Sequence, residues 1–151
     1  MRLLIAALGF LALSLPAQTY QEKIIAAVLA AEAVSEGTQG MSAVAEVIRQ
    51  RALEKSKTAF QVVTAGNRRY HAFSCLNRST PDKLYKRWSA EAGYSDALRI
   101  AMVLVRQPEL LGSATKRATH YTRKQEKPYW AEGRKPVVVI GHHAFYRLAQ
   151  Y

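Results

Sequence analysis

The chain has 151 residues, a hydrophobic fraction of 49% and a formal net charge of +11. That length suits one domain, and that hydrophobic fraction excludes an intrinsically disordered chain. The positive charge favours an anionic partner, namely nucleic acid, anionic lipid or an acidic wall polymer, unless it only maintains solubility.

The first 17 residues have the layout of a secretory signal peptide. Arg2 supplies a positive end, residues 3–15 form an apolar run, and Ala17 supplies a small residue after it. The run is shorter than the ~20 residues that a membrane-spanning helix needs. We therefore predict a signal peptide over residues 1–17 and one exported domain over residues 18–151. A retained membrane anchor and a buried first helix are the alternatives.

The first predicted helix spans Tyr20 to about Ala33, a segment rich in Ala, Leu and Ile. Apolar residues recur at positions 25, 28 and 29, and Glu32 falls on the same helical face. Gly37 and Gly40 are expected to end this helix, since glycine adopts a left-handed backbone without strain. The sequence therefore places a carboxyl at the end of an apolar helical face.

A second helix is predicted from about Gln39 to Lys55. Its apolar face leaves Glu46, Arg49 and Gln50 on other sides, where we expect these residues to be solvated. The two helices together would form most of a helical body.

The rest of the chain alternates irregular and regular segments. Residues 60–63 are predicted as a short apolar turn or strand, and residues 67–85 as a long irregular loop, a type that is usually functional or mobile. A third helix is predicted over about residues 91–106. β-Branched and aromatic residues at 118–122 and 137–147 predict a small antiparallel sheet. The fold class is thus α+β, with a mainly helical body and a small antiparallel β-hairpin or sheet near the C-terminus.

Glu32 is the first candidate catalytic residue. Most helical glutamates are solvated, but a carboxyl desolvated against apolar side chains stays protonated closer to neutral pH. Such an acid can give its proton to a departing glycosidic oxygen. Glu36 is a secondary candidate. It either receives the N-terminal N–H groups of the next helix or acts as a second carboxylate that positions water or stabilises positive charge on a sugar ring.

Aromatic and histidine side chains are the candidate substrate-binding groups. Aromatic rings could stack on sugar rings, although each alone is more often core packing. The histidines could orient the substrate or the acid, although a lone histidine in a strand is more often a structural hydrogen-bonding group. The candidates are Phe73, His120, Tyr121, Trp130, His143 and Tyr146.

Cys75 is the only cysteine, which excludes an intramolecular disulfide and a cysteine-based zinc site. We interpret it as a buried, inert thiol, with a cysteine nucleophile paired with a histidine as the alternative. A zinc site on His120, His142 and His143 with a glutamate is a further alternative, although the H-E-x-x-H helix pattern is missing. We predict no metal and no cofactor.

Six segments form an ordered set of motifs. The segment A-E-A-V-S-E-G-T-Q-G at 31–40 is followed by an Ala/Val-rich helix. The others are F-S-C at 73–75, A-T-H-Y at 118–121, P-Y-W-A at 128–131 and I-G-H-H-A-F-Y-R at 140–147. In order and spacing they resemble the SleB/CwlJ-type cell wall hydrolases over about residues 24–148. Three positions depart from the family pattern. Ser35 stands where the family has Gly, Gln50 where it usually has Asn, and Ala72 where it frequently has Gln.

The resemblance implies a lysozyme-like fold and cleavage of the β-1,4 bond between N-acetylmuramic acid and N-acetylglucosamine in peptidoglycan. It maps the family's catalytic glutamate, which ends the first helix, onto Glu32. Members are typically lytic transglycosylases, in which the substrate's C6 hydroxyl closes an anhydro ring and one carboxyl serves as acid and then base. A muramidase outcome is the other possibility. The predicted protein is an exported monomer that acts on peptidoglycan, with no nucleic-acid partner.

Two rival functions stay open. The first is a non-enzymatic basic exported module that binds cell wall polymer or nucleic acid, which needs no carboxyl at the position of Glu32. The second is a zinc amidase or peptidase, which would lose its activity with a chelator.

Overall fold

The structure is a computed structural model that describes residues 16–67 and 69–149. Most of the predicted signal peptide, residues 1–17, lies outside the described residues, so that assignment stays a prediction. Within the described part of the chain, no helix combines the length and the apolar character needed to cross a membrane.

Helix α1 (Tyr20–Ala33) runs through the centre of the body. It begins where predicted because Thr19 and Glu22 form a capping box, in which each side chain accepts a hydrogen bond from the other's backbone N–H. All side chains from residue 24 to residue 30 are fully buried. The predicted apolar face at residues 25, 28 and 29 is therefore buried, and the other sides of α1 between residues 24 and 30 are buried as well, as expected for a central helix.

Helix α2 (Gly37–Lys55) begins two residues earlier than predicted. A short 3-10 turn over residues 34–36 separates it from α1, and Gly37 has a φ of +66° at the junction. Gly40 lies inside α2, so the prediction that it ends the first helix is wrong.

Two polar residues of α2, Glu46 and Gln50, are only 3% and 5% exposed, so the predicted solvation is wrong for both. Residues 108–115, which lead to the sheet, lie against Glu46 and Arg49, whereas Gln50 donates a hydrogen bond to Glu54 within α2. Two backbone N–H groups and one hydroxyl at residues 114 and 115 donate hydrogen bonds to the Glu46 carboxylate, at 2.8 to 3.2 Å. Arg49 donates hydrogen bonds to three carbonyl groups of residues 108–112. Glu46 and Arg49 therefore hold residues 108–115 in place instead of facing solvent.

Two short helices replace segments predicted as irregular or extended. Helix α3 (Ala59–Val63) begins with a capping box between Thr58 and Gln61, which explains why the predicted turn or strand is wrong. Helix α4 (Pro81–Trp88) overlaps the predicted loop and extends beyond it. The Thr80 side chain caps it, and proline occupies its first turn, as is common at helix starts.

Helix α5 (Tyr94–Arg106) begins three residues later than predicted, directly after Gly93, whose φ is +87°. It packs along α1 and also contacts α2. At its end, Arg106 forms an ion pair with Glu22, which is fully buried at the start of α1. The core of the body therefore lies around α1.

The predicted small antiparallel sheet is confirmed, as is the mainly helical body. Strand β1 (His120–Arg123) and strand β2 (Val138–Ile140) both pair with strand β3 (His143–Tyr146), which lies between them. In this register Tyr121 lies opposite Phe145. The sheet packs against α2 through a second apolar cluster, which contains Ala43, Val47, Ala118, Ile140 and Phe145.

Candidate active site

A cleft of about 960 Å³ lies between the helical body and the sheet. The end of α1, the 3-10 turn at Ser74–Asn77 and α4 contribute its lining on the side of the body. Strand β1 and the loop after it contribute the lining on the side of the sheet. The residues around the cleft include Glu32, Phe73, Cys75, Arg78, Trp88, Tyr121, Glu126 and His143.

Glu32 lies at the end of α1, where its partly buried side chain lines the cleft. The Tyr121 hydroxyl on β1 donates a hydrogen bond of 2.8 Å to Glu32 Oε2. Burial raises the pKa of Tyr121 well above its usual value, and the neighbouring Glu32 raises it further. The phenol therefore stays protonated and remains a donor. This hydrogen bond holds one of the two carboxyl oxygens of Glu32 in place.

The Cys75 thiol is a second neighbour of Glu32. Burial raises the pKa of Cys75, and Glu32 raises it further through its charge and a hydrogen bond. A thiol with a raised pKa is a poor nucleophile near neutral pH, because the thiolate is the reactive form. This disfavours the cysteine-nucleophile alternative.

Glu36 is buried between α2 and the turn that joins β2 to β3, with a side chain only 6% exposed. Its Oε1 lies 2.7 Å from Nδ1 of His143, and its Oε2 accepts a hydrogen bond of 3.2 Å from the backbone N–H of His142. Its side chain makes no capping hydrogen bond to α2. The alternative in which Glu36 receives the N–H groups of the next helix is therefore wrong.

Two glycines make room for the Glu36 side chain. A Cβ atom on Gly40 of α2, or on Gly141 of the β2–β3 turn, would collide with it. Gly141 also has a φ of +57°, a backbone conformation that glycine adopts without strain. The two glycines thus allow α2 and the β2–β3 turn to pack closely around the Glu36 carboxylate.

A line of contacts joins Glu36 to Glu32. His143, next to Glu36, meets Tyr121 edge-on, with ring centroids 5.2 Å apart at an interplanar angle of 87°. Tyr121 in turn donates its hydrogen bond to Glu32. Three elements, namely the α1–α2 junction, β3 and β1, therefore combine to orient a carboxyl at the end of α1.

The other predicted substrate-binding residues lie in different places. Phe73 lines the cleft, but it is 1% exposed and lies beneath the Arg51 guanidinium. His120 and Trp130 line an adjoining pocket of about 370 Å³, here called the side pocket. Tyr146 is buried and contacts the Trp130 ring edge-on, with centroids 5.5 Å apart. Tyr146 thus supports Trp130.

Sequence reasoning missed the cations and the second carboxyl of the cleft. The arginines are Arg51, Arg78, Arg87 and Arg123, and the carboxyl is that of Glu126. The Thr-Pro-Asp sequence at residues 80–82 is a helix-start signal that would have placed Arg87 and Trp88 on a helix. No sequence signal identifies Glu126, which lies in the loop after β1 and accepts a hydrogen bond from Thr122 of that strand.

Among the residues that the structure describes, no three His, Cys, Asp or Glu side chains lie close enough together to hold a metal ion. The alternative zinc site on His120, His142 and His143 is therefore not assembled there.

Comparison with known proteins identifies the family. The family model described as Cell Wall Hydrolase matches residues 35–146, which is most of the chain. This chain belongs to the cell wall hydrolases. The match confirms the resemblance to the SleB/CwlJ type, and with it action on peptidoglycan. It includes Glu36, Tyr121 and His143 but begins three residues after Glu32. No curated protein and no solved structure matches significantly.

The placement of Cys75 in this cell wall hydrolase predicts slow thiol labelling. Because the pKa of Cys75 is raised, its thiolate fraction at pH 8 is small, and each unit of pKa lowers that fraction about tenfold. We expect iodoacetamide to label Cys75 more than about tenfold more slowly than glutathione, with a rate that still rises above pH 9. Mass spectrometry reads the label at a unique site, since the chain has one cysteine.

The variant Glu32→Gln serves as the comparison in this labelling experiment. It removes a carboxyl that raises the pKa of Cys75, so its labelling is expected to be faster than that of the wild type. Equal rates in the two proteins would contradict the contact between Cys75 and Glu32.

Proposed function

We propose that this hydrolase cleaves the glycan strands of peptidoglycan at the β-1,4 bond between N-acetylmuramic acid and N-acetylglucosamine, with Glu32 as the catalytic acid. The observation that carries this proposal is the Glu32 carboxyl, which lines a large cleft and is oriented by the Tyr121 hydroxyl at 2.8 Å. A carboxyl fixed in this way matches the need for a positioned proton donor at a glycosidic oxygen.

In the proposed reaction, the Glu32 carboxyl gives its proton to the glycosidic oxygen while the bond from that oxygen to C1 of the muramic acid ring breaks. The ring passes through an oxocarbenium-like state, and N-acetylglucosamine leaves as an alcohol. The C6 hydroxyl oxygen of the same muramic acid then bonds to C1. Its proton passes to the Glu32 carboxylate, which restores the acid and leaves an anhydro ring.

The surroundings of Glu36 support a mechanism with one carboxyl. Its Oε1 lies 2.7 Å from Nδ1 of His143, its Oε2 accepts a hydrogen bond from the backbone N–H of His142, and its side chain is buried. We assign Glu36 as a positioning residue that acts through His143 and Tyr121. Glu126, the other glutamate of the cleft, is the candidate base in the competing muramidase mechanism, in which water attacks C1.

The cationic surface supports an exported enzyme that works on an anionic wall. The net charge is +11, and four arginines line the cleft with two glutamates. Fields of this sign attract polyanions and raise their local concentration. The same charge would serve a non-enzymatic module that only binds the wall.

Incubation with purified peptidoglycan sacculi tests the proposal against the binding module. Protein bound to the sedimented sacculi and fragments released into the supernatant are measured in the same tube. We expect soluble muropeptides to accumulate with time. Stable binding without any released fragment would contradict the proposed activity.

The variant Tyr121→Phe tests the hydrogen bond that orients the acid. Hydrogen bonds to charged groups contribute roughly 1.5–3 kcal/mol, so we expect kcat for release of muropeptides to fall about 10- to 100-fold. The exposed Tyr129 supplies the control, and Tyr129→Phe should keep the wild-type rate. A Tyr121→Phe enzyme with full activity and an unchanged thermal melt would show that the Glu32 carboxyl needs no such donor.

A further inference from the structure

Trp88, the last residue of α4, lines the cleft on the side of the helical body. Its side chain packs in part against the core around α1 and is otherwise accessible from the cleft. The Thr80 side chain caps α4, and α4 packs against α1, so the helix and its terminal indole are held in place. The fold therefore presents a fixed aromatic surface to the occupant of the cleft.

Phe73 and Tyr121, the other Phe and Tyr side chains that line the cleft, are already engaged. Phe73 is 1% exposed, and the Tyr121 hydroxyl donates its hydrogen bond to Glu32. Within the described part of the chain, the ring of Trp88 is approached by the guanidinium of Arg87, which lies 5.6 Å from the ring centroid. Trp88 is therefore the aromatic side chain of the cleft that has surface left for a ligand.

The contact with Arg87 leaves this surface available. Arg87 is exposed near the end of α4 and lines the cleft together with Trp88. Cation–π contacts at exposed sites are weak, and a long arginine side chain can rotate away from the ring. A ligand can therefore displace the guanidinium, whose N–H donors then lie beside that ligand.

The opposite wall of the cleft is polar. Thr122 and Arg123 of β1 line it, together with Glu126 of the loop that follows. An aromatic surface combined with a few polar side chains is the usual composition of a site for a small molecule. A pyranose ring has the same two-sided character, because C–H groups make its faces apolar while hydroxyl and N-acetyl groups surround its edge. The cleft at Trp88 therefore matches a sugar ring.

We propose that Trp88 is the stacking platform for one sugar ring of the glycan strand and sets the affinity of the cleft for that strand. This inference rests on the proposed function, because it takes the occupant of the cleft to be a strand of β-1,4-linked amino sugars. The indole stacks on the apolar face of the ring, and Arg87 donates hydrogen bonds to oxygens at the edge of the ring. Proton transfer stays with Glu32.

Two substitutions of Trp88 test the stacking, with soluble, uncross-linked glycan strands as the substrate. Trp88→Leu keeps an apolar side chain against the core but removes the flat ring, so we expect KM to rise about tenfold while kcat stays within about twofold. A tenfold change corresponds to about 55 Å² of apolar area that the sugar no longer buries. Trp88→Phe keeps an aromatic face and should raise KM less than threefold. Equal KM values for the two variants would overturn the proposal.

Lys86→Ala controls for a general disturbance of α4. Lys86 is exposed on the same helix and does not line the cleft. This variant should keep the wild-type kcat and KM, and a tenfold rise in its KM would attribute the effect to α4 as a whole and overturn the proposal. A second measurement keeps Trp88 in place and so does not depend on how well the Trp88 variants fold.

Fluorescence supplies that measurement and separates this inference from the proposed function. The chain has two tryptophans, so Trp130→Phe leaves Trp88 as the single reporter, and Glu32→Gln in the same protein keeps the ligand intact. Chitotetraose, a β-1,4-linked oligomer of N-acetylglucosamine, is titrated into this double variant. We expect a saturable blue shift of the emission, because a stacked sugar excludes water from the indole. No shift, with glycan cleavage by the wild type, would overturn this inference alone. A shift without such cleavage would overturn the proposed function alone.

Discussion

Replacing Glu32 by glutamine is expected to lower the rate of muropeptide release by about 10²- to 10⁴-fold, the usual contribution of a positioned general acid. Glutamine keeps the size of the side chain and can still accept the hydrogen bond from Tyr121, but it has no acidic proton to give. The measurement is the rate of release from purified sacculi. Binding to the sacculi should persist, because the arginines of the cleft are unchanged.

Glu126→Gln is the matched control, since it neutralises the other glutamate of the same cleft. In a mechanism with one carboxyl, this variant keeps its activity within a few-fold of the wild type. A large loss in both variants would support the muramidase mechanism, in which Glu126 activates water. Full lysis by Glu32→Gln would contradict the assignment of Glu32.

The second large effect concerns stability and arises at Glu46. Replacing Glu46 by alanine leaves two backbone N–H groups and the Thr115 hydroxyl without their acceptor. Each unpaired buried donor costs about 1–3 kcal/mol, and for three donors we expect the free energy of unfolding to fall by about 3 kcal/mol or more. Chemical denaturation followed by circular dichroism measures this loss.

Two further variants make the stability experiment specific. Glu46→Gln keeps one acceptor oxygen and should lose less stability than Glu46→Ala. Glu109→Ala removes an exposed carboxyl next to the same segment and should lie within about 0.5 kcal/mol of the wild type, as most surface substitutions do. A Glu46→Ala protein as stable as Glu109→Ala would show that the segment before β1 is held by other contacts.

Local composition predicted the start of α1 and the sheet. The segment rich in Ala, Leu and Ile was expected to begin at Tyr20, and the structure adds the capping box of Thr19 and Glu22 that starts α1 there. The β-branched and aromatic residues after position 117 form strands as expected. A readable signal was also overlooked, since Thr80 and Pro81 mark the start of α4 inside the predicted loop.

The other wrong predictions concern residues whose surroundings are set by tertiary contacts. A helical pattern assumes one buried face, but α2 is covered by the body on one side and by the sheet and its leading segment on another. Glu46 is buried for that reason. Glu36 likewise meets His142 and His143 across more than a hundred residues of sequence, and no local pattern encodes such a contact. The position of Glu32 at the end of an apolar helical face made it a candidate, and Glu36 and Tyr121 were candidates as a nearby carboxyl and an aromatic side chain. The family resemblance then mapped the catalytic glutamate onto Glu32, and the fold shows how the three residues are connected.

Mass spectrometry of the fragments released from purified peptidoglycan tests the central claim most directly. If Glu32 cleaves glycan strands in the proposed way, the products are muropeptides that end in 1,6-anhydro-N-acetylmuramic acid, and Glu32→Gln releases almost none. Free stem peptides released from intact glycan strands would contradict cleavage of the glycosidic bond.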